Sequence, residues 1–213
     1  MPLDREFVFA AVADERHRIA CLLEGLTAEQ LATPSLCTGW DVKTVAAHAV
    51  STVTDGTPAF LRLALRRGSM ARAVDELARR RAQLPAAEIA ADLHQCADHP
   101  LSPPLFGPLD PLADVMVHGG DIRIPLGLPF EPDPQRAAMA MDFLTGPWPF
   151  AFVPLGRLRG ISLHASDIGR TWGSGVGVHG PLAALMMAVT GRTALLHLLD
   201  GPGLPKLSGR LPG

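Results

Sequence analysis

The segment "DPLADVMVHGGDIRIPLG", residues 110–127, sets Asp114, His118 and Asp121 at intervals of four and three. On an α-helix those intervals bring all three side chains to one side. Polar groups stacked in this way form a solvated stripe, a buried hydrogen-bond network or a set of ligands. A carboxylate and an imidazole four residues apart on an apolar helix project over the same turn and can share one metal ion. Two donors do not make a tight site, so a third must come from another element. His48, in "DVKTVAAHAV", is the other histidine set in an apolar helical pattern in this half of the chain. His48, Asp114 and His118 would supply two imidazoles and a carboxylate and leave zinc an open position, the mark of a catalytic site. The competing reading is a buried Asp–His hydrogen bond that joins two helices, and spacing alone does not separate the two. Asp121 can orient the His118 imidazole from behind, as metal-bound histidines require, or pair with Arg123.

Cys37 lies in the loop before the His48 helix and reads either as a nucleophile beside the metal or as a small buried hydrophobe. His17, His94 and His99 sit in charged surroundings and read as surface residues. His164, His179 and His197 have no partner spacing. No G-x-S-x-G elbow occurs, and "GSGVGVHG" lacks the strand-to-helix register and acidic partner of a nucleotide site.

These residues need helices to position them. The pattern predicts a helix over 109–124, ended by Pro125 because the residue before proline is pushed out of helical geometry. For the His48 helix, Asp41 is the N-cap and Trp40 a staple able to pack on Val45. Further helices are predicted over 3–24, 70–83, 86–98 and 134–144, with a capping box at Thr27 and Gln30 and a break at Gly56 and Pro58. Helices joined by short loops predict an up-and-down bundle. After "GPWPFAFVPLGRL" the character changes. "RGISLHAS" reads as a strand and "RTWGSGVGV" as a second with a Gly-rich turn. "HGPLAALMMAVTGR" reads as a helix stopped at Gly191, and "TALLHLLDG" as a short one. The expected class is α+β, mainly α: a helical bundle over 1–150 and a small α+β unit over 151–213.

Composition narrows the function. The chain has 213 residues, 47% apolar and 19% charged, with a net charge of −2. Such a balance carries no basic footprint for nucleic acid or an anionic membrane. No window reaches the ~18 to 20 apolar residues of a membrane span, and the charged N-terminus is no signal peptide. Three scattered cysteines without a CxxC pair point to a reducing cytoplasm.

Taken together, "PSLCTGWDVKTVAAH", "ADVMVHGGDIRIPLG" and "GPLAALMMAVTGR" resemble the actinobacterial family related to mycothiol-dependent maleylpyruvate isomerase. In that family a DinB-like four-helix bundle precedes a small sterol-carrier-like domain. The resemblance implies metal ligands at His48, Asp114 and His118, with Asp121 behind them, and matches a substrate-binding arginine at Arg192. It implies a divalent metal, zinc with nickel as the alternative, and mycothiol or a similar thiol as cosubstrate. The partners would be that thiol and a small electrophilic substrate, and a homodimer is compatible with it. The activity implied is that of an isomerase or thiol transferase. A water-activating metal hydrolase and a non-catalytic binding or regulatory module on the same bundle are the alternatives. Two departures stand out: the characterised isomerases have glutamate at the position of Asp114, and the C-terminal domain looks shorter here.

Overall fold

The computed structural model describes residues 3–103, 107–147, 149 and 152–212. Residues 104–106 of "DHPLSPPLFGPLDP" and residues 148, 150 and 151 of "GPWPFAFVPLGRL" lie outside the described residues. The protein is mainly helical with one small three-stranded sheet, the class expected from the sequence. By packing, the chain divides into Met1–Leu101 with His118–Leu128, and Ser102–Val117 with Pro129–Gly213.

In the first unit, α1 (Arg5–Glu24) is capped by Asp4, whose carboxylate accepts from the Phe7 amide. Its buried face, Val8, Ala11, Val12, Ile19 and Leu23, belongs to a helix that packs on α6 (Ala86–Gln95), where Ile89 and Leu93 are buried. Arg16, 1% exposed, crosses between these helices. Its guanidinium donates to the carbonyls of Ala97 at 2.9 Å and His99 at 3.1 Å, occupying acceptors that the end of α6 leaves over. The short α2 (Ala28–Leu31) starts with the expected capping box, in which Thr27 and Gln30 exchange side-chain and backbone bonds.

Helix α3 (Val42–Thr54) is capped by Asp41, as read from the sequence. Val42, Val45, Ala46, Ala49 and Val50 are buried, and the small side chains let neighbouring helices approach closely. The chain breaks at Asp55 and Gly56, whose φ of 71° suits glycine, and continues as α4 (Gly56–Arg67). Ser69 then caps α5 (Met70–Arg81), which buries Ala73 and Ala78 and packs on α3 and α4. Arg81 ties this layer together, reaching Asp92 at 2.6 Å and Asp55 at 3.3 Å. Helix α7 (Leu109–Arg123) ends within a residue of the position set by Pro125. The division by packing passes through α7, a single continuous helix.

In the second unit, α8 (Pro134–Leu144) starts with Asp133 as cap and a proline in its first turn, and it packs on α9 (Leu182–Val189). The sheet consists of β1 (Ile161–Ala165), β2 (Arg170–Gly173) and β3 (Val176–Gly180) in the order β2-β1-β3. The sequence pattern treats "RTWGSGVGV" as one strand with a turn. Instead it forms two strands that flank β1, β2 antiparallel and β3 parallel to it. Ser174 and Gly175 alone carry the chain past the start of β1. A Cβ on Gly175, where φ is 133°, would meet the Gly160 carbonyl carbon at 2.2 Å; one on Gly173 would meet the Ile161 oxygen at 2.6 Å. The glycines Gly173 and Gly175 are what allow this crossing. Trp172 donates its indole N–H to Asp142 at 2.7 Å and so fastens β2 to α8. "TALLHLLDG" forms a 3₁₀ turn at Leu196–Leu198 rather than an α-helix, and an unforeseen α10 follows at Leu204–Ser208. Among the described residues no helix is long and apolar enough to cross a membrane.

Gly175→Ala is therefore expected to destabilise the protein by about 3 kcal/mol or more, since it adds a backbone clash to left-handed strain. At Gly169, φ is 66° but nothing lies within 4 Å of the added Cβ, so Gly169→Ala should cost only about 1 kcal/mol. Chemical unfolding of the two variants beside the parent protein checks the difference.

Candidate metal centre

The loop before α3 is shaped before its side chains are used. Pro34 and Asp41 form an isolated β-bridge, the Ser35 hydroxyl donates to the Trp40 carbonyl at 2.9 Å, and Gly39 turns the chain at a φ of 81°. The loop is fastened to α7 through Asp121. The Leu36 amide donates to the Asp121 carbonyl at 3.3 Å, and the Cys37 thiol donates to Asp121 Oδ2 at 3.3 Å. The same Oδ2 lies 2.8 Å from His118 Nδ1. Asp121 has no exposed surface. With an ionised carboxylate, which only accepts, the Nδ1 atom carries the proton and Nε2 is left as the donor atom toward any cation.

Trp40 sets the other side. Its ring centroid is 5.2 Å from that of His48 and 6.5 Å from that of His118. The two imidazoles meet edge to face at 4.9 Å. The indole N–H donates to Asp75 at 2.7 Å; Asp75 in turn accepts from Arg79, which also donates to the Gly39 carbonyl. Where the sequence suggested a staple on Val45, the structure places Trp40 as a wall beside both histidines. Both imidazoles are buried, at 7% exposure.

Asp114 precedes His118 by one turn of α7. Ligand atoms of His48, Asp114 and His118 lie within 4.8 Å of one another, as do those of Cys37, His118 and Asp121. The first group offers two imidazoles and a carboxylate, donors that suit zinc and its neighbours in the first transition row. In the second, Asp121 Oδ2 is already committed to His118 Nδ1, so that carboxylate serves as the outer partner of the imidazole. The donor chemistry of His48, Asp114 and His118 therefore fits a borderline divalent cation. One further turn back, Asp110 has its carboxyl pushed up to about 7, mainly by burial and then by the charge of Asp114.

Residues 12–102 match the family model described as the mycothiol maleylpyruvate isomerase N-terminal domain. That stretch includes Cys37, Trp40 and His48. The family resemblance read from the sequence is found again here. Two solved structures share the fold: the mycothiol-dependent maleylpyruvate isomerase and a histidine-to-alanine mutant of it. Each has a TM-score of 0.58 at 15% sequence identity, over 99% of this chain and 95% of that one. No curated protein sequence matches.

Of the residues singled out in the sequence, His48, Asp114 and His118 come within mutual reach, and Asp121 stands against His118. Cys37 joins them through Asp121. Arg192 lies just past α9, where its guanidinium donates to the Thr190 carbonyl at 2.8 Å. The brace of Trp40, Asp75 and Arg79 was not foreseen. Its only trace in the sequence is the i, i+4 spacing of Asp75 and Arg79, which is common on solvated helix faces.

Asp110 generates a pH prediction. Its folded-state pKa of about 7 lies above the ordinary 3.8, so its stabilising contribution is present at low pH and fades as pH rises from about 4 to about 7. Metal-free Asp110→Asn is expected to melt above metal-free parent protein at pH 8 and to lose that advantage at pH 4. Thermal melts of both across that range check the sign.

Proposed function

We propose that His48, Asp114 and His118 hold one divalent metal, zinc by the chemistry of the donors. On this reading the protein is a thiol-dependent isomerase or thiol transferase acting on a small electrophile. The observation that carries it is the reach of two buried imidazoles and a carboxylate for one point, with His118 Nδ1 engaged by a buried aspartate. The family match over the segment that contains His48 supports the thiol, mycothiol or a close relative, as cosubstrate.

When bound, the metal lowers the pKa of a thiol in its open position, so that a thiolate is available at neutral pH. The protein's own residues do the rest. Asp121 holds the proton on His118 Nδ1 and keeps the ring from turning. Trp40 covers one side of both imidazoles and keeps water from them, and its anchor on Asp75 fixes that cover. Asp114 supplies the negative charge of the set from a side chain one methylene shorter than glutamate. Arg192 is assigned, by the resemblance alone, to an anionic group of the substrate. In an isomerisation, a thiolate adds to an electron-poor double bond, the resulting single bond rotates, and the same thiolate leaves. Thiol and proton are returned, and no redox partner is needed.

Elemental analysis of tag-free protein from unsupplemented medium is expected to find zinc in the parent. His48→Ala and His118→Ala should each carry about one equivalent less than the parent, since each removes one of the three protein ligands of this centre. Turnover of an electron-poor cis-olefinic acid should require added mycothiol and vanish in both variants. Metal-free parent protein that takes up no added zinc would overturn the reading. Metal-dependent ester or amide cleavage without any thiol would replace it with a hydrolase.

A further inference from the structure

A second group of metal-binding side chains lies on the α1/α6 surface and shares no residue with the centre above. His17, Cys21 and Glu24 follow one another on α1 at intervals of four and three, which places them on one face. His94, in the last turn of α6, faces that stripe. Ligand atoms of Cys21, Glu24 and His94 lie within 4.8 Å of one another. His94 Nε2 is 3.5 Å from the Glu24 carboxylate. On its other side, His94 Nδ1 is 2.8 Å from His17 Nδ1.

The short contact between the two imidazoles requires one proton between two nitrogens. With that proton on His94, its Nε2 lone pair points toward the Glu24 carboxylate beside an exposed thiol, three donors for one cation. With it on His17, His94 Nε2–H donates to Glu24 instead, and binding an ion shifts both rings to the first tautomer. His17 meanwhile fixes the His94 ring by its far nitrogen, the outer contact that ligating histidines generally have. A thiolate, a carboxylate and a neutral imidazole balance the charge of a divalent ion, and the mixture of sulfur, oxygen and nitrogen favours zinc. Tetrahedral zinc sets its donors about 3.4 Å apart, a contraction that side-chain rotation at a partly exposed site can supply.

We propose that Cys21, Glu24 and His94 form a second, zinc-type metal site that clamps α1 to α6, with His17 as the positioning residue for His94. Binding releases the thiol proton of Cys21 to solvent and involves no change in oxidation state. Water takes the fourth position.

The test follows Cys21 directly. Full-length protein is alkylated with and without zinc, and modification of the Cys21 peptide is timed by mass spectrometry. With zinc at about ten times its dissociation constant, the rate at Cys21 should fall about tenfold. The fall should persist in His48→Ala, so that failure of the other centre leaves this result readable. It should be lost in His94→Gln and in Glu24→Gln, two surface changes whose zinc-free alkylation rates should match the parent. A Cys21 rate indifferent to zinc would overturn the proposal, as would equal protection in His94→Gln and Glu24→Gln.

Discussion

A carboxylate with no exposed surface must be given donors, and much of the first unit is arranged to give Asp121 its own. His118 comes from the same helix one turn away, while Cys37 and the Leu36 amide come from the loop that leads into α3. Leaving such a group without partners would cost several kcal/mol. The loop and α7 therefore hold a fixed relation, and His118 is oriented as a by-product of satisfying Asp121. Once the loop is in place, Asp41 caps α3 and Trp40 stands against the imidazole of His48. A buried aspartate thus sets where two histidines point.

Around that constraint the bundle is built from small and branched side chains. Val42, Val45, Ala46, Ala49 and Val50 bury α3 without bulk, and Ala73 and Ala78 do the same for α5. Close helices are stiff supports, which is what the ligand set proposed for the metal needs if its donors are to be held apart before an ion arrives. The polar clamps work to the same end at the periphery. Arg16 closes the end of α6, and Arg81 joins the start of α4 to α6. The second unit solves a separate problem, that of passing β2 to β3 around β1 in two residues, and it does so with glycines at the crossing.

The helices and their ends were largely legible, because caps and stop signals act locally. Asp41, Thr27 with Gln30, and Pro125 act within a turn of themselves, and a linear pattern records them. The neighbourhood of Asp114 and His118 was legible for the same reason, since both lie on α7 one turn apart. Partners brought together from distant positions were not. Nothing in "RTWGSGVGV" says that its halves lie on opposite sides of β1, because the signal is a close approach to Gly160 and not a periodicity. The indole of Trp40 finds Asp75 from 35 positions away, and His17 finds His94 from 77. Both histidines read as plain surface residues, since their charged neighbours mask a contact made only when α1 packs on α6. "TALLHLLDG" was read as an α-helix because its leucines mimic helical spacing, yet Gly201 and the bridge between His179 and Asp200 stop it after one 3₁₀ turn.

The central claim of the proposed function is a metal at His48, Asp114 and His118 that accepts a sulfur ligand. X-ray absorption at the zinc edge, on Cys21→Ser/Cys37→Ser protein loaded with one equivalent of zinc, addresses that point most directly. The account predicts a first shell of nitrogen and oxygen alone, and a single sulfur at about 2.3 Å once mycothiol is added. An unchanged nitrogen and oxygen shell in the presence of saturating thiol would contradict it.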